Sequence, residues 1–129
     1  MEQDQVTAFA ERFMSAWNTQ DSNRVLECYS DDLCYRDPGT SEPIHGSEAF
    51  RKYLGKLFAK WTMHWAFREG YPLAAQEGCV LLWHARFQKT GGNETVELDG
   101  MDLVLLCDDK IIRNEVYFDR TGLLAMLHP

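Results

Sequence analysis

Clusters of basic residues are missing from this chain, as are the short signatures of nucleotide and metal chemistry. Its 129 residues hold 13 Lys and Arg against 20 Asp and Glu, a net charge of −7. A nucleic-acid partner would need a basic face, so that class is set aside. No apolar run approaches the roughly 18–20 residues of a membrane span. The start, Met1-Glu2-Gln3-Asp4-Gln5, is acidic where a secretory leader is basic. A cytoplasmic protein without membrane contact is expected. Cys28, Cys34, Cys79 and Cys107 form no C-x-x-C pair and each has apolar neighbours, which predicts reduced, buried thiols rather than a disulfide framework or zinc site. There is no G-x-S-x-G, phosphate loop, dinucleotide fingerprint or paired-histidine spacing, so neither a metal nor a cofactor is expected. Repeats, low-complexity stretches and linkers are absent too. One domain over residues 1–129 follows, large enough for a core with a cavity hollowed into it.

What is present divides into a helical half and a strand half. Val6, Phe9, Ala10, Phe13, Ala16 and Trp17 recur at three- and four-residue steps, predicting a helix over 5–17 with Asp4 as its cap. A short second helix is expected from Asp21, with Val25, Leu26, Cys28 and Tyr29 inward, ending at Ser30-Asp31-Asp32. A short strand over 33–37 closes at Pro38-Gly39, and a loop leads to a third helix opened by Ser47 and Glu48. Strands are expected at 62–69, 79–89, 95–107 and 110–118, with turns at Gly91-Gly92-Asn93 and Asp108-Asp109. Residues 121–127 read as a last helical turn or a covering segment. Helices followed by an antiparallel meander make an α+β fold. A sheet of such long strands must twist and curl, giving a cone wrapped by the helices and open at one end.

Polar residues on apolar faces mark the candidate site. Asp102 interrupts the set Leu98, Gly100, Val104, Leu106, and the alternate set is apolar enough to suggest that both faces are covered. Such a carboxyl must be paired, protonated or turned to a polar ligand. A hydrogen-bonded core aspartate is the plain alternative. Asn114 interrupts Ile112, Val116 and Phe118 in the same way, able to donate to an oxyanion or simply to local backbone. The alternate set, Arg113, Glu115, Tyr117 and Asp119, is expected to face solvent or a partner subunit. Strand 79–89 is ambiguous. Either Cys79, Leu81, Trp83, Ala85 and Phe87 form the inner face, or Leu82, His84 and Arg86 line a mixed pocket in which His84 could act as acid or base. Asp37, just before Pro38-Gly39, reads first as a turn residue.

The order of motifs adds a resemblance. Tyr29-Ser30-Asp31-Asp32, Tyr35-Arg36-Asp37-Pro38, Pro43-Ile44-His45-Gly46 before a helix, and Leu98-Asp99-Gly100-Met101-Asp102 on a strand resemble the ketosteroid isomerases. Tyr117-Phe118-Asp119-Arg120-Thr121-Gly122-Leu123-Leu124 is similar to the SnoaL-like polyketide cyclases. Both belong to the nuclear-transport-factor-2-like superfamily, whose cystatin-like α+β barrel is thereby implied. The resemblance implies Asp37 as a proton-shuttling base, Asp102 as hydrogen-bond donor to a dienolate oxygen, and Tyr29 as a supporting tyrosine. Phe13 stands where the isomerases carry an oxyanion tyrosine. Trp17, Trp65 and Phe118 are expected to line the cavity, together with Leu82, His84, Arg86 and Asn114. With one oxyanion donor lost and polar residues expected inside, steroid isomerisation is not predicted. A cofactor-independent isomerase or cyclase on another small carbonyl compound is, with Asp102, Asn114 or His84 stabilising the enolate. A non-catalytic binding module or dimeric scaffold is the alternative. The resemblance also implies a homodimer, for which Met101, Leu103, Leu105 and Tyr117 would suit the shared face.

Overall fold

The computed structural model describes residues 1–128. In chain order it holds α1 (Gln3–Asn18), α2 (Ser22–Leu26), β1 (Tyr29–Arg36), β2 (Ile44–His45), α3 (Ser47–Lys60), β3 (Trp61–Pro72), β4 (Gly78–Lys89), β5 (Thr95–Cys107), β6 (Lys110–Tyr117) and α4 (Thr121–Leu127). The expected α+β architecture is present. The six strands form one open sheet in the order β2-β1-β6-β5-β4-β3. The meander β3 to β6 is antiparallel as expected, but β1 pairs with β6 in parallel, so the sheet is mixed.

The apolar stripe of α1 buries Val6, Phe9, Ala10, Phe13, Met14 and Trp17 against the inner face of the sheet. Its cap is Glu2, which exchanges hydrogen bonds with Gln5 in a capping box; Asp4 lies in the first turn instead. At the other end two amides fasten α1 to β3. Asn18 donates to the Trp65 carbonyl at 3.0 Å and accepts from its N–H at 2.7 Å. Gln20 donates to the Trp61 carbonyl at 3.1 Å and accepts from the Met63 N–H at 2.5 Å. These four bonds satisfy backbone groups of an edge strand and set its inward residues beneath the helix.

Four local expectations change. The second helix ends at Leu26, and Tyr29 to Asp32 begin β1 rather than closing a helix. The pairing of β1 with β6 breaks between Tyr29 and Cys34, which leaves Asp31 and Asp32 exposed and hides the strand period. Residues 44–45, read as loop, add a short edge strand. In β6 the pairing with β5 skips Ile112, between Ile111 and Arg113; Ile111 is fully buried and Ile112 partly exposed, so Asn114 and Val116 share the inner face with Ile111. Asp108 and Asp109 both adopt positive φ, 50° and 64°, the geometry of a tight hairpin reversal. All four thiols are free; Cys79 is buried, but Cys28 and Cys34 are partly buried and Cys107 is exposed.

Helices cover one face of the sheet. The other is half-bare, contrary to the expectation that both faces of β5 are covered: Met101 is 38% and Tyr117 51% exposed. Glu115 is the exception on that side, buried beneath its bonds from Arg113 and Tyr117. No helix among the described residues is long and apolar enough to cross a membrane.

Candidate functional site

A cavity of about 470 Å³ opens between the sheet, α1, α3 and α4, within the range of small-molecule sites. Strand alternation determines its lining. Trp61, Met63 and Trp65 point inward from β3, Trp83 and Phe87 from β4, Asp102 from β5 and Val116 from β6. Phe13, Met14 and Trp17 close it from α1, while Leu123, Leu124 and Leu127 of α4 cover one side. The final segment is thus both a helix and a cover. Rings pack edge to face around the chamber: Trp17 and Trp65 lie 6.0 Å apart at 75°, Trp65 and Trp83 4.6 Å apart at 89°.

Asp102 sits on this wall, 5% exposed. Trp83 Nε1–H donates to its Oδ1 at 2.9 Å and Asn114 Nδ2–H to its Oδ2 at 3.3 Å. Burial pushes the carboxyl up to about 7, against the opposing pull of those two donors and with help from the Asp37 charge. Near neutral pH it therefore exists in both forms and can donate a hydrogen bond as the acid. The Trp83 contact depends on Gly100, its direct cross-strand partner. A Cβ at Gly100 would lie 2.6 Å from Trp83 Cζ2, so only glycine lets the indole lie across β5 and reach Asp102.

Behind the wall, Tyr29 donates its hydroxyl proton to Asn114 Oδ1 at 2.7 Å, and Asn114 donates onward to Asp102 and to the Leu103 carbonyl. The expected bond from Asn114 to local backbone is present, and its second bond goes to Asp102. Tyr29 and Asn114 form a buried chain supporting Asp102 rather than the cavity lining itself. Burial and the Asp102 charge hold the Tyr29 hydroxyl well above its ordinary range, so it stays a donor.

Asp37 lies just past the end of β1 and also lines the cavity. Its Oδ2 accepts from Tyr35 at 2.7 Å and from Tyr53 in a very short bond, and its Oδ1 accepts from the Gly39 N–H at 2.7 Å. The turn chemistry read from sequence is real, and the same carboxylate faces the pocket. Tyr35 and Tyr53 were not expected at the site. Tyr35, two residues before Asp37 on a strand, had the spacing to share its face; Tyr53 lay within the apolar stripe of α3, where a hydroxyl carries no signal. Burial and the Asp37 charge raise both phenols, keeping them protonated.

Phe13, Trp17, Trp65 and Phe118 line the cavity. Leu82, His84 and Arg86 do not, because Cys79, Leu81, Trp83, Ala85 and Phe87 form the buried face of β4 and their neighbours point outward. Five inward side chains outweigh one histidine in choosing the face. His84 meets Asp99 Oδ1 at 2.9 Å and Glu97 Oε1 at 3.1 Å across the outer strand surface, and these two hydrogen bonds raise its pKa. No group of three His, Cys, Asp or Glu able to hold a metal ion occurs among the described residues.

The sequence matches the model of the SnoaL-like domain over residues 10–114. The chain belongs to the SnoaL-like domain family. No match to it is found among curated proteins. Among solved structures, an NTF2-like protein of unknown function from Burkholderia pseudomallei K96243 aligns over 100% of both chains with TM-score 0.82 and 16% identity. A hypothetical protein with ketosteroid isomerase-like fold from Catenulispora acidiphila DSM 44928, in complex with trimethylamine, covers 91% of this chain and 89% of its own, with TM-score 0.80 and 15% identity. TerC co-crystallized with polyporic acid covers 95% and 98%, with TM-score 0.80 and 17% identity. At these identities the likeness shows the shared nuclear-transport-factor-2-like fold.

Proposed function

We propose that this SnoaL-like domain is a cofactor-independent isomerase or cyclase acting on a small carbonyl compound. Asp37 removes a proton from the carbon next to the carbonyl. The electron pair moves onto the carbonyl oxygen, which Asp102 meets with a hydrogen bond. For isomerisation the proton returns from Asp37 to another carbon; for cyclisation the enolate carbon attacks a second carbonyl, whose oxygen takes up the proton. The carrying observation is two carboxyl groups in one apolar chamber with different settings: Asp37 clasped by two phenols and an amide, Asp102 raised to about 7 by burial. The small molecules held by TerC and by the Catenulispora protein support the cavity as a ligand site.

Of the two features expected to disfavour a steroid substrate, the cavity retains one. His84 and Arg86 lie outside, so the chamber is more apolar than expected; Phe13 still offers no hydroxyl to an oxyanion. That missing donor favours the second reading, a pocket that binds without turnover. Screening carbonyl compounds by thermal shift, then following solvent deuterium exchange at the adjacent carbon of each binder, separates the two. In the enzyme reading Asp37→Asn retains binding and slows exchange by at least about a hundredfold. Exchange unchanged in that variant removes Asp37 as the base. We also propose a homodimer formed through the bare sheet face around Met101 and Tyr117.

A further inference from the structure

Lys56 and Lys60 of α3 and Arg120 at the start of α4 all line the cavity described above, and all three are exposed, so they stand at its rim. Their placement follows from helix geometry. Tyr53, Lys56, Leu57 and Lys60 share one face of α3, with Tyr53 turned to Asp37 and the two lysines further toward solvent. Arg120 approaches from the α4 side. Among the described residues none of the three has an ion-pair partner. The cavity's own acidic groups are Asp37 and Asp102, with no glutamate on its wall. Three exposed cations without ion-pair partners on the lining of one cavity run against the −7 charge of the chain. Lys60 also lies in the last turn of α3, where a cation offsets the helix dipole; that accounts for one of the three.

We infer that the ligand carries an anionic group, a carboxylate, sulfonate or ionised acidic hydroxyl, which Lys56, Lys60 and Arg120 hold at the mouth while its apolar body occupies the ring-lined chamber. The inference rests on the cavity being a ligand site and names its substrate class: an acidic carbonyl compound entering with the neutral end first. That orientation is the favourable one, since an anion at the inner end would face the buried carboxyl of Asp102. Exposed cations also attract an anion from solution before it docks.

The test uses the purified full chain and two fluorescent probes of nearly equal shape, anionic anilinonaphthalene sulfonate and uncharged N-phenylnaphthylamine. Each is titrated against the native protein and against a Lys56→Gln, Lys60→Gln, Arg120→Gln triple variant. Arg24→Gln with Arg86→Gln and Lys110→Gln, three exposed cations outside the cavity lining, controls for net charge. The expected result is a loss of about tenfold in affinity for the anionic probe in the triple variant, no change for the neutral probe, no change for either in the control, and weakening of the anionic probe alone by added salt. The neutral probe should displace the anionic one, as both occupy one chamber. The rim assignment is overturned if the triple variant leaves the anionic probe unaffected or weakens both probes alike. If neither probe binds the native protein, the cavity reading itself fails, and the rim assignment with it.

Discussion

At the scale of single residues, Asp102 couples the candidate chemistry to stability. Its carboxyl rises from an ordinary 3.8 to about 7 because burial disfavours the charge. Below the ordinary value it is protonated whether the chain is folded or not. As pH rises through the window up to about 7, the unfolded chain releases the proton while the folded chain keeps it. Folding stability therefore falls across that window, by roughly 1.4 kcal/mol per pH unit from this group, and levels off above it. Urea unfolding from about pH 4 to pH 8 should show the decline, and Asp102→Asn should remove most of its slope. An unchanged slope in the variant would mean that Asp102 is not the group titrating.

The elements show what a linear reading can and cannot see. Inward alternation on β5 singled out Asp102 because one aspartate among leucine and valine breaks a period of two. On β4 alternation does not choose a face: both carry large apolar side chains, and only the cross-strand partners decide. Trp83 is inside because Gly100 opposite leaves room for it. The start of β1 was hidden because an irregular pairing turns its aspartates to water, and a polar run reads as a helix stop. Tyr53 was hidden because a phenol in a helical stripe looks like packing. The outward face of β4 is itself testable. Combined His84→Ala and Arg86→Ala should leave ligand affinity within about twofold, measured by calorimetry on any binder found by thermal shift, because surface changes away from a site have small effects. A loss of ten times or more would place that face at the site after all.

For the whole molecule, the fold class and the cavity could be anticipated, because helix and strand periods, turn residues and a resemblance spread along the chain agreed with one another. The parallel β1–β6 pairing could not, since no local pattern states which distant strand a segment will join. Assembly belongs to this scale as well. If the half-bare sheet face is shared between two copies, light scattering at micromolar concentration should report a mass of twice 14.9 kDa, and Tyr117→Glu should shift the species to monomer by placing like charges across the two-fold contact. A native monomer at that concentration would defeat the proposed dimer.

The β1–β6 pairing joins Tyr35 to Asn114 across most of the chain's length. Closing so long a loop is entropically costly and tends to be slow. The two carboxyl groups therefore come to share a chamber only once this distant pairing is complete. Until then the ring-lined interior is an open apolar surface and a hazard for aggregation during synthesis. A ligand contacting both Asp37 and Asp102 would tie the pairing shut, so its presence should slow unfolding and favour recovery of the native chain after denaturation.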